Sequence, residues 1–161
     1  MMVNIFTIGV YGFTEEEFFD TLIKAKIDTF CDIRRRRGVR GSKYAFVNSK
    51  RLQVKLKELG IYYVHYLELA PSNIVRDEQK KADKEIGAKK RLRDGLSQSF
   101  INAYKEECLK NFNLNHFLEI LGTNAKNVVL FCVERDPKAC HRSIAAEHLN
   151  SIWNNLKVVH L

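Results

Sequence analysis

The sequence lacks several patterns that would place it in a familiar class of protein. It has no apolar run near the ~18 residues of a membrane-spanning helix. Its first residues show neither the basic start nor the cleavage site of a signal peptide. Prolines number only two, and no internal repeat or low-complexity segment divides the chain. These absences exclude a membrane partner and predict one cytoplasmic domain over residues 1–161.

Motifs for common cofactors and metals are also missing. Gly9 and Gly12 form neither a G-x-G-x-x-G fingerprint nor a phosphate loop. The four cysteines contain no C-x-x-C pair and fit no zinc module; they are Cys31, Cys108, Cys132 and Cys140. We expect reduced thiols, no cofactor and no metal, although Asp32, Glu134 and His141 would supply three metal ligands if they converged.

The charge of the chain favours anionic partners. Lysine and arginine number 27 against 19 acidic residues, which gives a net charge of +8. A basic surface of this kind attracts polyanions. The partner we expect is therefore a phosphate-bearing small molecule or a nucleic acid.

Apolar runs alternate with helical patterns along the chain. Thr14 and Glu17 form a capping box for the first helix, and Asn48 or Ser49 caps the second. The alternation predicts a single-domain, three-layer α/β sandwich with a mainly parallel sheet of about five strands. The predicted strands are residues 3–8, 27–33, 61–66, 127–132 and 157–161. Residues 67–97 are charged, and predict either a solvated helix or a mobile lid.

Candidate site residues lie at the carboxyl ends of three of these strands. Gly9 follows the first strand, Asp32 and Arg34 end the second, and Glu134 follows the fourth. Because ligands bind beyond the carboxyl ends of the strands in open α/β sheets, we expect these residues to share one cleft.

The segment after the fourth strand carries the densest chemistry. Cys140, His141 and Arg142 fall in the predicted first turn of a helix, beside free N–H groups and the positive end of the dipole. That position lowers the pKa of a thiol and disfavours protonation of an imidazole. Glu134, His141 and Arg142 are the main candidates. We expect Cys132 and Cys140 to be structural thiols, with Cys140 as a secondary catalytic candidate.

The same residues carry a resemblance to domain-of-unknown-function family 488. The motif Cys-x-Glu-x-x-Pro-x-x-Cys-His-Arg over residues 132–142 is its most specific mark, supported by Thr-Ile-Gly at 7–9 and Asp-Ile-Arg at 32–34. Tyr104 matches an aromatic position of the family. The chain departs from the family at residues 10–12 and 69–71, on the rim of the predicted cleft. The resemblance implies a parallel α/β fold and a shared polar site, without a known reaction.

Three functions fit these residues. The first is a module that binds or processes a nucleotide or nucleic acid, with phosphate held by Arg34 and Arg142 and bases stacked on Tyr44 and Phe46. A basic loop would follow the longer backbone, through Arg35, Arg36, Arg37, Arg40 and Lys43.

The second function is an enzyme that acts on a small anionic substrate. Asp32 or Glu134 would serve as general acid or base, and His141 would relay a proton. Cys140 would be the nucleophile in a covalent version. Gly9 and Tyr104 complete the expected ligand-binding set. The third function is a non-catalytic module that binds only protein.

Overall fold

Five parallel strands form the centre of the computed structural model, which describes residues 2–87 and 95–161. Their order across the sheet is β3-β2-β4-β1-β5, and all neighbouring pairs run parallel. The strands are β1 (Asn4–Ile8), β2 (Thr29–Asp32), β3 (Tyr62–His65), β4 (Asn127–Phe131) and β5 (Lys157–His160). The predicted parallel sheet of about five strands is confirmed.

Helices cover both faces of this sheet and make a three-layer sandwich. They are α1 (Glu15–Lys24), α2 (Ser49–Glu58), α3 (Asn73–Ile86), α4 (Gln98–Tyr104), α5 (Leu114–Leu121) and α6 (His141–Ile152). Phe18 of α1 and Leu52 of α2 pack in the core of one face. Phe100, Phe117 and Ala145, from α4, α5 and α6, pack in the core of the other. Nowhere in the described chain is a helix long and apolar enough to span a bilayer.

Local sequence signals set the ends of several helices. The Thr14 hydroxyl accepts from the Glu17 N–H at 3.2 Å, and the Glu17 carboxylate accepts from the Thr14 N–H at 3.0 Å. The predicted capping box is therefore present. Asn48 precedes α2, but its side-chain oxygen accepts from the Val39 N–H at 2.7 Å instead of capping that helix. This contact ties the basic loop to the start of α2.

Within the charged segment between β3 and α4, residues 73–86 form helix α3 and a 3-10 turn precedes it at Leu67–Leu69. Helix α3 carries exposed ion pairs of Lys80 with Asp77 at 3.5 Å and of Lys81 with Glu78 at 3.9 Å. This agrees with the solvated-helix alternative. Residues 88–94 lie outside the described residues, so a mobile lid over 67–97 stays a prediction.

Two aromatic residues after the basic loop are part of the core. Tyr44 and Phe46 are only 4% and 3% exposed, and they pack with Phe18 and Leu52. The expectation that they stack on nucleic-acid bases is therefore wrong. The preceding charges suggested an exposed segment, whereas the chain turns inward at Tyr44 to cover the sheet.

The register of the strands brings three strand ends together. Ile8 of β1 and Asp32 of β2 both pair with Phe131 of β4. The segments that follow these residues therefore leave the same edge of the sheet. This edge carries the site described below.

Candidate functional site

A small cavity opens beyond the carboxyl ends of the strands. Its volume is about 90 Å³. It is lined by Arg35, Arg36, Pro71, Arg76, Gln79, Lys80, Phe100, Cys132, Glu134, Cys140 and His141. The predicted residues Arg35, Arg36, Glu134, Cys140 and His141 are thus brought together in one cavity.

Cys140 is the N-cap residue of α6 and is fixed there by the turn before it. Pro137 begins a one-turn 3-10 helix, in which the Asp136 side chain accepts from the Lys138 N–H at 2.9 Å. The Cys140 N–H donates to the Pro137 carbonyl at 3.3 Å, and Cys140 then adopts an extended conformation. The thiol therefore stands beside the amino end of a 12-residue helix.

Cys140 and His141 form a thiol–imidazole pair. The Cys140 Sγ lies 3.7 Å from His141 Nδ1, and His141 Nε2 lies 2.8 Å from the Ile33 carbonyl oxygen. A carbonyl only accepts hydrogen bonds, so Nε2 carries a hydrogen and donates it. Neutral His141 then has a lone pair on Nδ1, directed at the thiol. This is the relation of nucleophile, base and orienting group found in cysteine-dependent catalysis.

The surroundings of Cys140 favour its thiolate. Burial raises the pKa of the thiol, and Glu134 also raises it. A hydrogen bond from the Cys132 thiol, the Arg142 cation and the backbone N–H of Arg142 lower it further than burial raises it. The result is a pKa of about 7, against 9.0 for an ordinary thiol.

Cys132 lies next to this pair and behaves in the opposite way. Its hydrogen bond to Cys140, and then its burial, raise its pKa to about 12. Cys132 therefore keeps its proton at neutral pH and donates a hydrogen bond to the Cys140 thiolate. The two cysteines differ in chemical state although both line the cavity.

Metal binding is a second use for these atoms. Ligand atoms of Cys132, Cys140 and His141 lie within 4.8 Å of one another, and in the described chain this is the group close enough to share an ion. Asp32 and Glu134 are not in it, so the structure does not bring Asp32, Glu134 and His141 together as a ligand set. Cys132 is protonated, and the Arg142 cation acts on Cys140. The Arg142 cation disfavours a further positive charge beside Cys140, whereas a bound metal ion would displace the Cys132 proton.

Arg142 forms the wall behind the cavity. It is fully buried, and it donates to the Thr7 hydroxyl at 3.3 Å, to the Glu134 carbonyl and to the Arg135 carbonyl at 3.1 Å. Gly9 packs against the same loop, because a Cβ there would lie 1.8 Å from the Glu134 carbonyl oxygen. Both residues were expected to bind ligand directly, but the structure places them where they position residues 134 and 135.

Tyr104 supports His141 from the other side. Their rings lie 5.4 Å apart, and the fully buried Tyr104 hydroxyl donates to the Leu69 carbonyl at 2.7 Å. Burial raises its pKa well above the ordinary tyrosine value. Phe100 stacks on Tyr104 and itself lines the cavity. Tyr104, which was expected to bind ligand, therefore contacts the imidazole from outside the lining.

Asp32 and Arg34 form a buried ion pair that is not part of the cavity lining. Arg34 donates to both Asp32 oxygens at 2.8 Å and to the Val47 carbonyl at 2.9 Å. Its guanidinium also lies 4.7 Å from the centre of the Phe131 ring. Tyr63 donates to Asp32 at 2.8 Å. These contacts occupy both oxygens of Asp32, whereas Nη1 of Arg34 is buried without a hydrogen-bond partner among the described residues. The expected catalytic role of Asp32 and the expected ligand-binding role of Arg34 stay predictions.

The rim of the cavity is strongly basic. Arg35, Arg36, Arg76 and Lys80 face one carboxylate, Glu134, among the lining residues. The Arg35 guanidinium donates to the Ala70 and Pro71 carbonyls at 2.9 and 3.2 Å, which fixes it across the rim.

The rest of the basic loop leads away from the lining. The Arg37 guanidinium lies 3.5 Å from the Tyr63 hydroxyl, and the Lys43 ammonium lies 5.4 Å from the centre of the Tyr44 ring. Arg40 and Lys43 are exposed. Their expected contact with nucleic acid stays a prediction.

Sequence reasoning missed the contribution of α3. Arg76, Gln79 and Lys80 line the cavity. Gln79 is buried and bonds to Asp83 and to the Ser97 N–H, both at 2.7 Å. The spacing of three and four residues puts these side chains on one helical face. That spacing could have identified a shared polar face on α3, although not its contact with the cavity.

One family model matches this chain. Its description is "Domain of unknown function DUF488", and the match covers residues 14–149. It includes Asp32, Arg34 and the whole segment from Cys132 to Arg142. No curated protein and no solved structure matches the chain.

Proposed function

The chain belongs to the DUF488 family, and from the geometry of its site we propose that it is an enzyme in which Cys140 attacks a small anionic substrate. The observation that carries this proposal is the thiol–imidazole pair, with Cys140 Sγ 3.7 Å from His141 Nδ1, in the wall of a basic cavity. Sequence position alone indicated a secondary role for Cys140. The structure supports a larger one, because the thiol has a base, an orienting carbonyl and an adjoining cavity.

The chemistry of the proposed step follows from these contacts. His141 Nδ1 lies where it accepts the Cys140 proton, and the Ile33 carbonyl holds the ring in that orientation. The thiolate forms a bond to the electrophilic atom of the substrate, and the bond to the leaving group breaks. The leaving group takes the electron pair of that bond and a proton from protonated His141.

Charge and size define the substrate class. Four cationic side chains and one carboxylate line the cavity, which raises the local concentration of anions. Its volume of about 90 Å³ is below the ~300–1,000 Å³ of pockets that enclose drug-sized ligands. The cavity therefore fits a single reactive group, and an anionic substituent is held by the arginines at the rim.

Alkylation with a matched pair of reagents tests this proposal. Iodoacetate and iodoacetamide deliver nearly the same group, but only iodoacetate is an anion. We expect iodoacetate to be favoured at Cys140 about tenfold more in the folded protein than in the same protein unfolded in urea. Peptide mass mapping at pH 7 gives the rate at each cysteine.

Charge variants separate the cavity from the overall charge of the protein. Arg76→Gln and Lys80→Gln should each lower the preference for iodoacetate about two- to fivefold, which corresponds to ~0.5–1 kcal/mol. Lys24→Gln removes the same charge from an exposed position on α1, outside the cavity lining, and should leave the preference unchanged. Equal reactivity of Cys140 towards both reagents, or no reaction at Cys140, would refute the proposal.

The nucleic-acid alternative keeps one supporting observation. Arg36, Arg40 and Lys43 are exposed along the loop that begins at the cavity. A polymer held by these side chains would bind with a steep salt dependence. Binding to single-stranded RNA or DNA that stays constant between low and moderate salt would remove this alternative.

A further inference from the structure

Cys132 is a buried nucleophilic group that the proposed attack by Cys140 does not use. It directly follows β4, is 7% exposed and lines the cavity. Its sulfur, the Cys140 sulfur and a ring nitrogen of His141 all lie within 4.8 Å of one another. A second thiol at this distance from a thiolate and a base has the position of a resolving cysteine.

The two thiols are prepared for successive steps. Cys140 is ionised near neutral pH, while Cys132 is held protonated mainly by its hydrogen bond to Cys140. When the Cys140 sulfur becomes covalently bonded, it loses its negative charge and this restraint on Cys132 disappears. His141 also lowers the pKa of Cys132, so the same imidazole acts on both thiols. Modification of the first thiol thus activates the second.

We infer that Cys132 completes a two-thiol exchange with Cys140, and that the substrate of this site is a small anionic disulfide. The inference rests on the proposed function, because Cys140 must attack first. Its thiolate attacks one sulfur of the substrate, the substrate S–S bond breaks, and one product leaves as a thiol with the proton that His141 took from Cys140. Cys140 is then held in a mixed disulfide with the other half of the substrate.

The second step releases the remaining product. Cys132 gives its proton to His141 Nδ1 and attacks the Cys140 sulfur, which breaks the mixed disulfide and expels the second thiolate. That product then takes the proton from His141. The substrate gains two electrons, and the protein is left with a Cys132–Cys140 disulfide. An external dithiol reduces this disulfide by the same exchange chemistry and restores the site.

The cavity argues for this substrate class over a neutral or cationic one. Arg36, Arg76 and Lys80 surround the approach to Cys140, and Glu134 is the one carboxylate of the lining. An anionic disulfide places its charge on this rim while one sulfur reaches the thiolate.

Three small disulfides of different charge test the inference. They are dithiodiglycolate, which is anionic, hydroxyethyl disulfide, which is neutral, and cystamine, which is cationic. Each is mixed with reduced, full-length protein at pH 7 without added thiol, and intact mass is followed with time. For dithiodiglycolate we expect protein that is two hydrogens lighter and carries no adduct, with two mercaptoacetates released per chain. The neutral and cationic disulfides should react at least about tenfold more slowly than dithiodiglycolate.

Variants assign the two steps. Cys132→Ser should stop at a mercaptoacetate adduct on Cys140, with one mercaptoacetate released. Cys108→Ser, which changes a thiol of equal exposure outside the cavity, should behave as the wild type. If Cys132→Ser does not fold, the wild type alone still decides, because trypsin cuts after Arg135 and Lys138. A Cys132–Cys140 disulfide then appears as two linked peptides.

The outcomes distinguish this inference from the proposed function. Wild-type protein that retains the adduct on Cys140, or that links Cys140 to Cys31 or Cys108, overturns the role of Cys132 and leaves Cys140 as the nucleophile. Rates that do not depend on the charge of the disulfide overturn the substrate class. If no disulfide reacts at Cys140, the proposed function fails as well.

Discussion

Removal of the Cys132 thiol should change the ionisation of Cys140 in a way that can be calculated. Cys132 donates a hydrogen bond to the Cys140 thiolate, and this contact lowers the pKa of Cys140. The variant Cys132→Ala deletes the donor and leaves in place the charged groups that act on Cys140, which are Arg142 and Glu134. The pH dependence of Cys140 alkylation by iodoacetamide therefore reports the strength of this contact.

The expected shift follows from the strength of such contacts. In the wild type the alkylation rate should have its midpoint near pH 7, where an ordinary thiol with a pKa of 9.0 is only about 1% ionised. A hydrogen bond to a charged group contributes ~1.5–3 kcal/mol, which corresponds to about 1–2 pKa units. We therefore expect the midpoint in Cys132→Ala to rise to between about pH 8 and 9.

The assay uses the midpoint because it does not depend on how easily the reagent enters the cavity. Peptide mapping isolates the rate at Cys140 from the rates at Cys31 and Cys108. Cys132→Ser keeps a hydroxyl donor and should shift the midpoint less than Cys132→Ala does. A wild-type midpoint near pH 9, or the same profile for the wild type and Cys132→Ala, would refute the claim that Cys132 lowers the pKa of Cys140.

Three further predictions concern the wall of the site. Gly9→Ala should lower the Tm by about 5–10 °C, because its Cβ meets the Glu134 carbonyl. Gly38→Ala, whose nearest neighbour is 3.8 Å away, should leave the Tm unchanged, and equal values for both would contradict the close approach. Because the folded-state pKa of Cys140 is lowered, the stability advantage of the wild type over Cys140→Ser should grow by ~1–3 kcal/mol from pH 7 to 9. A constant difference in urea unfolding would argue against a lowered pKa. Arg142→Met should lower the free energy of unfolding by ~2–5 kcal/mol in the same assay and raise the alkylation midpoint of Cys140. An unchanged midpoint would show that the Arg142 cation does not lower the pKa of the thiol.

Most of the fold could be predicted from the sequence because its signals are local. The capping box at Thr14 and Glu17 and the alternation of apolar strands with helices were sufficient for the three-layer parallel sheet. Tyr44 and Phe46 were misjudged, because a short aromatic segment beside charges has no periodicity to show which side faces the core.

The site was only partly predictable because its geometry depends on contacts distant in sequence. The sequence placed Cys140 and His141 at a helix start, but not the Ile33 carbonyl that turns the imidazole towards the thiol. The spacing of Arg76 and Lys80 was visible, yet nothing in it showed that this face of α3 covers the cavity.

Protection of Cys140 by inorganic phosphate tests the central claim most directly, since it requires the anion and the thiol to share one cavity. Wild-type protein is alkylated with neutral iodoacetamide at pH 7 and constant ionic strength, with phosphate replacing chloride. The account predicts that phosphate slows alkylation of Cys140 to a saturating limit, and that Arg76→Gln weakens this protection while Lys24→Gln does not. An alkylation rate at Cys140 that is the same in phosphate and in chloride would contradict it.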